Sequence, residues 1–174
     1  MKNRIVSLIL IAFFLLEGTL IHWLLPSAWQ TKLMLAPHLT FVVILLVSLL
    51  RNRHLGAAFG LVFGLMHDIV YATPMIGAHA FSMAMVAYIA GVAASRIKLN
   101  IAMTFFIIAL CLVFYDYTVF SIYQLFRVTI LSYSTMATQH LMPTLLFNLL
   151  FAVLIYVPAR RWLEPRAEKR EDEG

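Results

Sequence analysis

Long apolar runs, separated by short polar or basic connections, make up most of this chain. Six of these runs approach the roughly 20 residues that a helix needs to cross a hydrocarbon core of about 30 Å. They are Ile5–Leu25, Leu33–Leu50, Leu55–Ala72, Ile76–Ser95, Ile101–Tyr123 and Thr138–Val157. The pattern predicts an all-α, polytopic membrane protein, built as a compact bundle of six transmembrane helices.

Two segments fit this pattern less clearly. In the second run, Pro37 and His38 leave only Leu39–Leu50 continuously apolar. A five-span alternative, with this run re-entrant, would place the termini on opposite sides of the membrane. The segment Leu125–His140 mixes aromatic, basic and hydroxyl side chains. We expect it to lie on the membrane surface or to extend the fifth helix outward.

The basic residues predict the orientation of the bundle. Only Lys32 and Arg127 fall on one side of the six-span topology. The other 11 of the 13 Lys and Arg residues fall on the opposite side: Lys2, Arg4, Arg51, Arg53, Arg96, Lys98, Arg160, Arg161, Arg166, Lys169 and Arg170. By the positive-inside rule, both termini are cytoplasmic. Residues 1–159 are then one transmembrane domain, and residues 160–174 are a short charged cytoplasmic tail.

Composition supports an integral membrane protein rather than a soluble or nucleic-acid-binding one. The chain is 63% hydrophobic and 12% charged, and its mean hydropathy is +0.90, whereas soluble domains are about 45–50% apolar and about 25% charged. Its net charge of +5 reflects the topology. No basic patch carries the interleaved aromatic residues that bind single-stranded nucleic acid, so membrane lipids are the expected surroundings. The N-terminal run is long enough to be an uncleaved first helix.

A ridge of small residues runs through the third span. Gly56, Gly60, Gly64 and Asp68 recur every fourth residue, which places them on one face of a helix. In lipid, such small residues let two helices approach closely. Asp68 needs an internal partner because a carboxylate that faces lipid costs several kcal/mol.

We expect this ridge to form a groove that receives the single transmembrane helix of a partner protein. The predicted groove comprises Gly56, Gly60, Gly64, Asp68, Gly77 and Gly91. Asp68 would accept a hydrogen bond from the partner or from the turn around Gly77 and His79. In the alternative interpretation, the ridge only joins helices of this protein to one another.

Ionisable side chains form a second feature, a polar layer in the outer half of the membrane. At 1.5 Å per residue from the cytoplasmic end of each helix, Glu17 lies about 18 Å deep, Asp68 about 20 Å and Asp116 about 22 Å. The predicted layer comprises Glu17, His22, His67, Asp68, His79 and Asp116. Intramembrane ionisable residues often have a function, but a buried Asp–His or Asp–Tyr hydrogen bond can also simply hold helices together.

Catalytic motifs are absent from the sequence, which contains no HExxH, CxxC or nucleophile elbow. His67 and Asp68 are adjacent, so on a helix they point about 100° apart and cannot chelate one metal together. A metal site would require residues from three helices to converge. We therefore predict no enzyme activity, no catalytic residues, no metal and no cofactor.

Several blocks of the sequence resemble the rod shape-determining protein MreD family. They are Gly60-Leu-Val-Phe-Gly64-Leu-Met-His-Asp68, the turn with Pro74, Gly77-Ala-His-Ala80, Tyr88-Ile-Ala-Gly91, and the closing block LLFNLLFAVLIYVPARRWL. The resemblance covers essentially the whole chain, and its most informative part is Gly56–Gly91. His67 stands where a more neutral polar residue such as Gln was expected.

The resemblance implies a non-enzymatic component of the bacterial cell-elongation complex. Such a protein binds MreC directly and, through it, MreB, RodA and a class B penicillin-binding protein, and helps organise lateral peptidoglycan synthesis and cell shape. The family's architecture is also similar to the six-helix substrate-binding subunits of energy-coupling-factor vitamin transporters.

Two other functions stay open at this point. The chain could be a substrate-binding membrane subunit of such a vitamin transporter, with the polar layer as its outward-facing site. It could also be an intramembrane enzyme that uses Glu17, Asp68 and histidines on a lipid-linked precursor.

Overall fold

The fold is helical throughout the part of the chain that the computed structural model describes, which is residues 2–24, 36–97 and 99–163. Five helices come first: α1 Lys2–Leu24, α2 Leu39–Leu50, α3 Arg53–Val70, α4 Ala78–Arg96 and α5 Ile101–Leu125. The sixth, α6, is formed by an α-helical turn Tyr133–Thr135, a π-helical segment Met136–Leu141 and an α-helix Met142–Leu163 in direct succession. No strand occurs in these ranges.

The prediction of an all-α bundle of six helices is confirmed. Three helices are long and apolar enough to cross a membrane, namely Ala78–Arg96, Ile101–Leu125 and Tyr133–Arg161. The second helix covers Leu39–Leu50, the part of its run that is continuously apolar. The chain is a membrane protein with a helical core.

The segment Leu125–His140 matches its prediction only in part. The fifth helix ends at Leu125 and is not extended outward, residues 126–132 form a mostly exposed connection, and the sixth helix already begins at Tyr133. Ser132 caps that start by accepting a hydrogen bond from the backbone N–H of Thr135 at 3.3 Å. At the other end, α6 continues to Leu163, so the first four residues of the predicted tail are helical. Residues 164–174 lie outside the described part.

The short helix α2 forms the centre of the bundle. It contacts all five other helices, and every residue from Leu39 to Leu49 is buried. Its sequence, LTFVVILLVSLL, is apolar on every face, as expected for a helix surrounded by protein. Because α2 is enclosed on all sides, its two polar residues, Thr40 and Ser48, need partners inside the protein.

Helices α3 and α4 form the most extensive helix pair in the bundle. A short turn that contains Pro74 joins them, and α3 ends at Val70, as the proline predicted. The Asn52 side chain caps the start of α3 by accepting a hydrogen bond from the backbone N–H of His54 at 2.8 Å. Asn100 caps α5 in the same way through Met103 at 2.7 Å.

Candidate functional site

The glycine ridge packs against helices of the same chain. A methyl group on Gly64 would lie 2.5 Å from the Cα of Ala80, and one on Gly60 would lie 2.8 Å from the carbonyl carbon of Met83. Both neighbours are backbone atoms of α4. The absence of side chains on α3 therefore lets the two helix backbones approach each other directly.

The N-terminal end of the predicted ridge is also filled. A methyl group on Gly56 would lie 2.5 Å from the Cβ of Ser48 in α2. Gly91 of α4 faces Ser48 and Arg53, and the Ser48 hydroxyl donates a hydrogen bond to the carbonyl of Ala87. These glycines thus lie inside the protein, where α2, α3 and α4 meet.

The prediction of an open groove for a partner helix is therefore corrected. Gly56, Gly60, Gly64 and Gly91 are covered by the protein's own helices, as in the alternative interpretation. The spacing of small residues predicts a close helix contact but does not identify the other helix. Here the turn after α3 returns the chain directly, and α4 occupies the position that was assigned to the partner.

Asp68 holds the turn between α3 and α4. Its Oδ2 accepts hydrogen bonds from the backbone N–H of Gly77 at 2.8 Å and of Ala80 at 3.3 Å. Its Oδ1 lies 2.7 Å from Nδ1 of His79 and 3.0 Å from the hydroxyl of Thr73. Asp68 is only 1% exposed. A carboxylate at this position caps the first turn of α4 and interacts favourably with the positive end of its dipole.

Gly77 has a different role from the one predicted for it. Its backbone has a φ of +98°, in the left-handed region, and no atom of the described residues lies within 4 Å of where its Cβ would be. Gly77 therefore permits the conformation that starts α4 and does not line a close helix contact.

A second cluster joins three elements of the bundle. Glu17 of α1 approaches His38, which precedes α2, with Oε1 3.9 Å from Nδ1. The same oxygen lies 3.7 Å from Nε2 of His67 in α3. The other carboxylate oxygen accepts a hydrogen bond from the backbone N–H of Thr40 at 3.2 Å, which orients the carboxylate toward the two histidines.

Asp116 of α5 extends this cluster. Its Oδ1 lies 3.3 Å from Nε2 of His38 and 3.8 Å from Nε2 of His140. His140 belongs to the π-helical segment of α6. Such segments place one extra residue in a turn and occur often at functional sites. His38 thus stands between two carboxylates that come from different helices.

The position of His38 is set by α6 and α5. Its backbone N–H donates a hydrogen bond to Oδ1 of Asn148 at 2.8 Å, and the hydroxyl of Thr144 accepts one from Ala36 at 3.2 Å. The ring of Tyr115 packs edge-on against the imidazole, with the centroids 5.0 Å apart. These contacts satisfy the backbone at the start of the buried helix α2 and orient the histidine ring.

The two clusters meet at a cavity of about 420 Å³. His67 and His79 stack between them, with ring centroids 4.6 Å apart and an interplanar angle of 25°. Glu17, His38, Asp116, His140 and both stacked histidines line the cavity. Carboxylate oxygens and imidazole nitrogens around such a space can bind a cation or a polar ligand.

The predicted polar layer is thus largely assembled in space. Glu17, His67 and Asp116 converge on one cluster, and Asp68 pairs with His79. His67 and Asp68 serve different clusters, as their angular separation on a helix predicted. The side chain of His22 lies outside the described part of the structure.

Sequence reasoning missed His38 and His140 as members of the layer. Both lie at the ends of apolar runs, where a helix boundary cannot be read closely from sequence. Their level was available as a signal, since the last residues of one run and the first residues of the next lie at the same membrane depth when helices alternate in direction.

Comparisons with known proteins identify the family. The family model described as rod shape-determining protein MreD matches residues 1–165. The rod shape-determining protein MreD of Bacillus subtilis (strain 168) is 25% identical over 139 residues, which cover 80% of this chain and 80% of that protein. No solved structure matches. With nearly its whole length matched by that model, the chain belongs to the rod shape-determining protein MreD family.

Proposed function

We propose that this protein is a non-enzymatic membrane component of the bacterial cell-elongation complex, where it binds MreC and helps organise lateral peptidoglycan synthesis and cell shape. The observation that carries the proposal is the family match over residues 1–165. Through MreC, the protein would be linked to MreB, RodA and a class B penicillin-binding protein.

The internal packing supports a scaffold role. The residues that carried the resemblance, from Gly60 to Ala80, join α3 to α4 through backbone contacts and the Asp68 hydrogen bonds. Such a hairpin is rigid because close backbone packing and buried, charge-assisted hydrogen bonds hold it at once. A rigid bundle would present a constant surface to MreC. The partner would contact the outer surface of the bundle, since the glycine ridge is occupied.

The charge distribution supports a topology with both termini in the cytoplasm. In that orientation, the cluster of carboxylates and histidines lies toward the outer surface of the plasma membrane. Site-directed labelling of single cysteines tests this arrangement. A cysteine in the Arg51–Arg53 connection should react only after the cytoplasmic side becomes accessible, and one in the turn at Thr73 should react from outside.

Depletion in a rod-shaped host tests the shape function. Cells that lose the protein should become round, and expression of the chain from a second copy should restore rods. MreC should co-purify with the complementing protein. Rods that persist after complete depletion would contradict the proposal, as would normal complementation by a variant that no longer retains MreC.

The cavity favours a second candidate, the substrate-binding membrane subunit of an energy-coupling-factor-type vitamin transporter. Its volume of about 420 Å³ falls within the range of about 300–1,000 Å³ typical of small-molecule sites. This function predicts vitamin auxotrophy on depletion, with cell shape retained, and tight binding of a vitamin to the purified protein. Rounding without auxotrophy would exclude it.

A further inference from the structure

Three potential metal ligands from three separate elements meet at the base of the cavity. Glu17, His38 and His67 each offer one ligand atom, and these atoms all lie within 4.8 Å of one another. The Oε1 atom of Glu17 is 3.9 Å from Nδ1 of His38 and 3.7 Å from Nε2 of His67. Ligands from three separate elements, a convergence that the sequence could not predict, therefore meet here.

His38 shows that this cluster is incomplete as it stands. The residue is 4% exposed, and among the described residues neither ring nitrogen has a partner in good hydrogen-bond geometry, although Nε2 lies 3.3 Å from Oδ1 of Asp116. Burial of such polar atoms is unfavourable unless each has a partner. Nδ1 points toward the Glu17 carboxylate at a distance too long for a hydrogen bond but suited to an ion placed between them.

The distances fit a small divalent cation. Zinc bonds of 2.0–2.1 Å in tetrahedral geometry place ligand atoms about 3.3 Å apart. The separations from Glu17 are 3.7 Å and 3.9 Å, and all three ligand atoms lie within 4.8 Å of one another, so an inward movement of up to about 1.5 Å would bring them to zinc-binding distance. Two imidazoles and one carboxylate are a ligand set that zinc accepts, with the fourth position left open.

The residues around these ligands would support the metal. Thr40 holds the second oxygen of Glu17 through its backbone N–H at 3.2 Å. Oδ1 of Asp116 lies 3.3 Å from Nε2 of His38 and would accept its proton when Nδ1 binds the ion. This is the carboxylate–histidine–metal arrangement that fixes the tautomer and orients the ring in known metal sites.

The charges of the buried carboxylates also favour a bound cation. Glu17 and Asp116 are both buried, and their nearest described ionisable partners are histidines, which are neutral unless protonated. A dication between Glu17 and the histidines would balance the charges of these two carboxylates. Buried charges in a low-dielectric interior are held by pairing with opposite charge or by coordinating a metal ion.

We propose that Glu17, His38 and His67 form a zinc-binding site whose open coordination position faces the cavity. The site ties α1 to α2 and α3, so an occupied site stabilises the bundle. The proposal is independent of the shape function, because it concerns metal binding by the isolated protein.

Purified full-length protein, freed of tags and metal and held in detergent or nanodiscs, provides the test. Zinc titration should show one equivalent bound per chain and a higher Tm on binding, and cobalt should give the visible absorption of a tetrahedral site with nitrogen and oxygen ligands. These measurements use the unaltered chain. Failure of that chain to bind either ion would overturn the proposal.

Variants then assign the ligands. Glu17→Gln, His38→Gln and His67→Gln should each weaken zinc binding by at least about tenfold. His54→Gln is the matched control, because His54 is exposed and lies near the start of α3. Retained affinity in all three ligand variants would refute the site. So would loss of binding in His140→Gln together with normal binding in His67→Gln, which would place the ion instead among His38, Asp116 and His140.

Discussion

Replacement of Gly64 by alanine should destabilise the protein, even though alanine normally favours a helix. The added Cβ would lie 2.5 Å from the Cα of Ala80 and 2.8 Å from the carbonyl oxygen of His79. These atoms belong to the backbone of α4, so no change of rotamer can relieve the overlap. The two helices must move apart.

The size of the effect follows from this geometry. Ordinary van der Waals contact begins at 3.4 Å, so relief requires a separation of about 0.9 Å, a degree of overpacking that costs about 1–3 kcal/mol. The same movement would lengthen the bond from the backbone N–H of Ala80 to Asp68, which is already 3.3 Å, at a further cost of about 1 kcal/mol. Better helix propensity returns about 1 kcal/mol.

The net loss is then about 2 kcal/mol, which corresponds to a decrease of about 4–8 °C in Tm for a chain of this length. Thermal unfolding of the purified protein, followed by circular dichroism, measures it. Ala58→Leu is the control, since it adds more atoms to the exposed face of the same helix and should leave Tm unchanged. A Gly64→Ala protein as stable as the unaltered one would refute the close packing of α3 on α4.

Three other substitutions test separate features of the bundle. Asp68→Asn preserves size but removes the charge that caps α4, and it should lower the free energy of unfolding by about 2 kcal/mol; unchanged stability would argue against the cap. Gly77→Ala should cost about 1–2 kcal/mol from backbone strain alone, and Gly77→Asn should cost less, because asparagine tolerates a positive φ; equal losses in chemical denaturation would contradict this. Asn148→Leu leaves the backbone N–H of His38 without its acceptor, so it should lower the free energy of unfolding by about 1–3 kcal/mol. It should also speed amide hydrogen exchange at the start of α2; unchanged exchange there would show that Asn148 does not hold this segment.

The glycine ridge also affects how interaction experiments are interpreted. Gly60→Leu or Gly64→Leu would separate α3 from α4 because both positions contact backbone atoms. Loss of MreC binding in these variants would then follow from damage to the bundle. Substitutions at exposed positions such as Leu61 or Leu146 leave the helix contacts intact and are the better probes of a partner surface.

Sequence alone predicted the helices because apolar length is a strong signal in membrane proteins. The second run was drawn from Leu33, with Pro37 and His38 noted as its weak point, and α2 begins only after them, at Leu39. The early start of α6 was missed because Ser132 caps a helix whose first residues, Tyr133–Thr135, are polar or aromatic. A hydropathy pattern is insensitive to such caps.

The site was predictable in depth but not in direction around each helix axis. Depth follows from residue counting, so Glu17, His67 and Asp116 were placed at one level. Their actual partners depend on which helix faces which, and that is set by packing around α2. The same limitation applies to the glycine ridge. A close helix contact along it was predicted, but the helix that makes this contact, α4, was not.

The shortness of α2 has an electrical consequence. Its 12 residues extend about 18 Å at 1.5 Å per residue, well under the roughly 30 Å of a bilayer's hydrocarbon core. Along the central axis of the protein, the purely apolar barrier is therefore thin, and polar groups begin where α2 begins. A thin apolar barrier concentrates an applied membrane potential, so His38, which precedes the first residue of α2, would lie where that field begins.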